Sequence, residues 1–157
     1  MKGTVGSVAS LAGAALGGWY AFRAGRRRAL LVCGLLQTAS LLFYVAAAFG
    51  LGGIAMLWAG NVAEHLLGGM ATVALFTLMM DASDPEHAGT DYTLLACAIV
   101  FTMGLANFTG AAIADAVGYA PTFLAGFVLS VAGCLVLVGS LDARRGPARL
   151  QPVWKTA

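Results

Sequence analysis

Charge is scarce here: Asp, Glu, Lys and Arg make up 10% of 157 residues, where an ordinary soluble domain carries about 25%. A soluble core of this size cannot hide a chain that is 60% hydrophobic. The mean hydropathy of +0.85 agrees, and both point to an integral membrane protein that leaves no room for an aqueous catalytic domain. The formal net charge of +2 is no nucleic-acid footprint. Also missing are HExxH, GxSxG, a phosphate-binding glycine loop and any span with paired carboxylates, so the chain does not read as an enzyme. His87 and Asp91 form a lone pair in a polar loop and read as solvated. Cysteine is confined to Cys33, Cys97 and Cys134, all in apolar runs and without CxxC spacing; they read as small packing residues, and neither a metal nor a cofactor is expected. A cleavable signal peptide is disfavoured because an arginine cluster, not a small-residue cleavage site, follows the first apolar run.

What the chain does have is long apolar stretches, which predict an all-α membrane protein with five transmembrane helices at about 4–22, 29–50, 53–80, 92–114 and 119–141. The first carries Gly13 and Gly17 in a GxxxG pair suited to close packing within a bundle, and ends on the interfacial aromatics Trp19 and Tyr20. RAGRRR follows as a six-residue turn. Gln37, Thr38 and Ser40 are the only polar side chains expected inside the second span, and Gln37 is a candidate for lining a pathway. Leu51 and Gly52 turn the chain into the third. A polar connection, DASDPEHAGTD over 81–91, leads to the fourth span, which has Asn107 near its middle and is bounded by Asp91 and Asp115 as expected caps. Gly118 to Pro121 form the next turn, and a polar tail covers 142–157.

The third span is the one around which the rest is organised, since it places a carboxylate and an imidazole mid-membrane. Asn61, Glu64, His65 and Gly68 follow i, i+3, i+4, i+7 spacing and so share one helical face. A charge there facing lipid costs roughly 2.5 to 3.5 kcal/mol on insertion scales, so the face is expected to look into a cavity or onto a partner helix. Burial favours the neutral form of a carboxyl group, and imidazole titrates near neutrality. Hence Glu64 is expected to bind or relay a proton, with His65, Asn61, Asn107 and Gln37 as further pathway candidates.

Arginine placement sets the orientation. Arg23, Arg26, Arg27 and Arg28 fall in the first turn, and Arg144, Arg145, Arg149 and Lys155 in the tail, on the same side; only Lys2 is opposite. By the positive-inside rule that side, with the C-terminus, is cytoplasmic. Met1 is then outside with no earlier helix to carry it there, which suggests the back part of a longer protein.

Gly18, Arg23, Gly25, Arg26 and Arg27 resemble the G-x-x-x-D-R-x-G-R-R loop of the major facilitator superfamily, with Phe22 at the Asp position. Glu64, His65, Gly68, Gly69 and Met70, then HAGTDYTLL and GYAPTFLAG, are similar to the branch of muropeptide permeases, acetyl-CoA transporters and RhtX/FptX siderophore importers, the last group most of all. The resemblance implies spans eight to twelve of a 12-helix transporter whose two halves rock about a central site, with an N-terminal half missing. It implies import of a solute, a siderophore or muropeptide, across a bacterial inner membrane, and a cytoplasmic gating role for the arginine loop. A different class of function is a small membrane scaffold that uses its glycine-rich faces to hold partner helices and transports nothing.

Overall fold

A computed structural model of the chain describes residues 2–154. It is all-helical: α1 Lys2–Ala24, α2 Arg26–Ala48, α3 Gly53–Ala82, α4 Ala88–Val117, α5 Tyr119–Asp142 and a short α6 Leu150–Trp154. The first five have the length and apolar composition to cross a membrane. At about 1.5 Å per residue, even the shortest outspans a hydrocarbon layer of about 30 Å.

Three connections are tighter than expected. RAGRRR is not a six-residue loop: only Gly25 lies outside a helix, and its φ of 80° is left-handed backbone that glycine adopts without a side-chain clash. Arg26 to Arg28 therefore form the first turn of α2. Gly118, with φ of 91°, joins α4 to α5 in the same way. The polar connection at 81–91 is also shorter, because α3 runs on through Ala82 and α4 begins at Ala88. Asp91 sits in the first turn of α4 and accepts the Asp84 backbone N–H at 2.9 Å. Asp115 lies within the last turn of α4.

Helix α3 is the hub, with α1 and α2 packed on it, α5 packed on α2, and α4 touching α3 and α5 more sparsely. α1 lies parallel to α3 in direct backbone contact. A methyl group at Gly17 would come within 2.6 Å of Met70 Cα, and one at Gly13 would strike the Leu66 carbonyl. The GxxxG pair is thus used inside the chain, on α3. Buried residues gather in two clusters: Ala21, Ala29, Cys33 and Ala74 where α1, α2 and α3 meet, and Leu30, Leu78, Val138, Leu141, Leu150 and Trp154 at the arginine end. The second cluster shows that the tail is more than a polar strand. Leu150 and Trp154, four apart on one face of α6, are buried against the ends of α2, α3 and α5. Residues 155–157, Lys155 among them, and Met1 lie outside the described residues. α4 is the opposite case: none of its residues is buried, and Val100, Phe101 and Phe108 are 70% or more exposed.

Candidate functional site

The polar face of α3 opens onto a groove of about 750 Å³. α1 contributes Gly3, Ser7 and Ser10 to its lining, α2 contributes Gln37, and α3 contributes Glu64, His65, Gly68 and Thr72. Small residues make the groove possible: a methyl group at Gly68 would already touch Gln37 Nε2 at 3.6 Å. The volume falls in the range of about 300–1,000 Å³ typical of small-molecule sites.

Glu64 and His65, adjacent in sequence, turn to different helices. Tyr44 of α2 donates its hydroxyl to Glu64 Oε2 at 2.5 Å. Ser10 Oγ of α1 lies 3.3 Å from His65 Nδ1. The imidazole is further fixed by Gly6, where a methyl group would stand 2.7 Å from Nε2. Both groups are partly buried. In an apolar surrounding, taking up or losing a proton on Glu64 changes the charge of the groove with no counter-charge in the hydrogen bond that holds it, since its donor is a neutral hydroxyl. That arrangement can bind a polar solute, or register protonation, at one defined place.

The remaining candidates separate. Gln37 is exposed in the groove. Asn61 instead lines a smaller cavity with Tyr44, Ile54, Leu57 and Trp58. Asn107 is exposed on α4 and lines neither cavity. Thr38 bonds Ser130 of α5 at 2.9 Å and Ser40 bonds the Gln37 carbonyl at 2.6 Å, so these hydroxyls are satisfied in packing. Sequence reasoning missed Tyr44 and Ser10. The available signal for Tyr44 was its place seven residues after Gln37, on the same face of α2. Among the described residues no three His, Cys, Asp or Glu side chains come together to hold a metal.

At the far end of α3 the arginine motif is engaged within the chain. A methyl group at Gly18 would stand 3.8 Å from Val73 Cγ1, and Arg23 stacks its guanidinium 5.7 Å from the Trp19 ring. Arg26 Nε donates to Asp81 Oδ2 at 2.7 Å. Arg27 grips Asp142 with both Nε and Nη2, at 2.8 and 2.7 Å. Phe22, at the motif's acidic position, is 84% exposed, so the acids come from the ends of α3 and α5 instead. Asp142 also accepts the Trp154 indole N–H at 2.9 Å, and Arg149 reaches Asp84 at 2.9 Å, which ties the tail to the same end. The Glu86 backbone N–H, and then Arg149, hold the Asp84 carboxyl below the usual carboxylate range.

Nearly the whole chain, residues 2–156, matches the family model of the Major Facilitator Superfamily. The chain belongs to the major facilitator superfamily. It is accordingly a multi-pass membrane protein of a transporter family, sits in the lipid bilayer and handles a small-molecule substrate. No solved structure matches it. Within a facilitator, the Glu64 groove is the candidate solute or ion site, and the Arg26–Asp81 and Arg27–Asp142 pairs fasten one end of the helices around it.

Proposed function

We propose that this chain forms the back part of a proton-coupled importer of the bacterial inner membrane, with a ferric siderophore as solute and Glu64 as the proton-binding group. The observation that carries the reading is a mid-span carboxylate lining an open groove and bonded to a neutral hydroxyl rather than to a cation. An intramembrane acid of that kind marks an ion or substrate path by default. The arginine end and the C-terminus are then cytoplasmic, as the clustering of Arg23, Arg26, Arg27, Arg28, Arg144, Arg145 and Arg149 favours. A partner half of the transporter supplies the opposing wall of the groove and covers α4, whose thirty residues are all at least partly exposed.

The test is uptake of radio-iron siderophore by cells making the full transporter, with and without an imposed pH gradient, for the natural chain and Glu64→Gln. Gradient-driven uptake that disappears in the variant, with insertion unchanged, supports the reading. Uptake of a labelled muropeptide in place of the siderophore would move the substrate to that class and leave the mechanism. Absence of uptake of both solutes by an inserted natural protein favours the scaffold role, for which the bare flank of α4 is a ready contact.

A further inference from the structure

Arg26, Arg27 and Arg149 are matched at the arginine end by Asp81, Asp142 and Asp84. Arg23, in the last turn of α1, pairs with no carboxylate among the described residues and holds its guanidinium 5.7 Å over the Trp19 ring instead. The position before it, acidic in the loop pattern that this turn resembles, is the exposed Phe22. Trp19, Phe22 and Arg23 follow i, i+3, i+4 spacing and so share one side of α1. That side is turned away from the bundle. Gly17, two residues before Trp19, meets Met70 of α3, and Ala21, two residues before Arg23, is buried. Trp19 is 60% exposed, and Arg23 is exposed as well, so no other helix of the chain covers the ring or the cation above it.

We propose that this turn of α1 is a headgroup site for an anionic phospholipid of the surrounding bilayer, with Arg23 on the phosphate and Trp19 and Phe22 against the start of the acyl chains. The turn closes a membrane-length helix of a multi-pass membrane protein, and at such ends Trp rings sit at headgroup depth. A guanidinium carries five N–H donors and no acceptor, and its planar fork fits two oxygens of one phosphate. Resting on the indole restrains the long side chain beforehand, so less freedom is lost when the phosphate arrives. Toward the membrane centre the exposed Leu16 continues the apolar track. A phospholipid offers the charge and the apolar chain together, whereas a free phosphate or an acidic peptide offers the charge alone. Arg28 is exposed and unpaired too, but the residues that follow it, Ala29 and Leu30, are buried, so it stands beside no such track.

The test is native mass spectrometry of the full chain, purified in a mild detergent and titrated with phosphatidylglycerol or phosphatidylcholine. The natural chain is expected to hold phosphatidylglycerol the more tightly. Arg23→Gln should weaken that binding roughly fivefold, about the effect of one basic residue at an anionic membrane surface, and leave phosphatidylcholine binding unchanged. Arg23→Lys keeps the charge without the fork and should fall in between. Arg28→Gln removes the same charge from the same end and should leave the affinity near its natural value. Equal weakening by Arg28→Gln means a diffuse field of charge in place of a site, and overturns the proposal. So does equal binding of the two lipids by the natural chain. Displacement of phosphatidylglycerol by inorganic phosphate, but not by chloride at equal ionic strength, assigns the turn to a free phosphate and overturns the lipid assignment. Retention of neither lipid means that another protein surface takes this face, and overturns it too.

Discussion

Two acids on α3 meet opposite arrangements. Asp81, at the end of the helix, is paired with Arg26 at 2.7 Å, and the neighbouring Asp142 is gripped by both arms of Arg27. Glu64, mid-span, is bonded to a phenol and lines an open groove. Near the headgroups a guanidinium can reach water along its length, so ion pairs form there at little cost. In the middle of the span a second full charge would have to be desolvated as well, so a neutral donor is the less costly partner and the net charge stays free to change. One helix thus carries an end held by ion pairs and a mid-span acid held by a neutral donor.

The sharpest way to break that comparison is Glu64→Gln. It should eliminate gradient-driven uptake while leaving the amount of inserted protein unchanged, read by transport against quantitative immunoblot. Next in size is Gly13→Val. Its side chain would strike the Leu66 backbone, next to His65, and should cost about 3 kcal/mol by overpacking, measured as a loss of unfolding stability in mild detergent. Because it pushes α1 away, it should also separate Ser10 from His65.

The fastened end should respond far less. A double-mutant cycle of Arg26→Ala with Asp81→Ala should return a coupling of about 0.5–1 kcal/mol, since both side chains are partly exposed at 31% and 21%. A coupling of several kcal/mol would erase the distinction between end and centre. The smallest effect belongs to Asp84 and Arg149. The folded state depresses the Asp84 pKa, so the stabilisation it provides is present above the unfolded value and fades as the pH falls through the folded one. The protection of the α6 amides against hydrogen exchange, taken relative to the intrinsic rate at each pH, should therefore fall in acid, and Asp84→Asn should show the lower protection already at neutral pH.

Much of the fold could be read from the chain because the membrane leaves few options: every backbone polar group must be satisfied inside its own segment, so long apolar runs become helices. The polar face of Glu64, His65 and Gly68 was legible for the same reason, through the 3.6-residue period. Helix ends were less so. RAGRRR and DASDPEHAGTD look like loops by composition, yet α2 starts at Arg26, since Gly25 alone makes the turn, and α3 continues to Ala82, with Asp81 paired to Arg26 across the two helices. The docking of Leu150 and Trp154 could not be read from a stretch that looks polar, since it depends on the surface that α2, α3 and α5 jointly present.

By itself, then, the sequence determined the all-helical architecture, the five membrane-length helices, the superfamily and the face of α3 that carries the acid, all of which follow from local periodicity and motif. Only the tertiary structure decided the partners: Tyr44 for Glu64, Ser10 for His65, Asp81 and Asp142 for the arginines, and an unmet donor on Asn61. Which side chains meet across helices depends on the register at which they cross, and between α1 and α3, where Ser10 meets His65, the helices touch backbone to backbone at Gly13, Gly17 and Gly69, positions where the absence of a side chain is what matters.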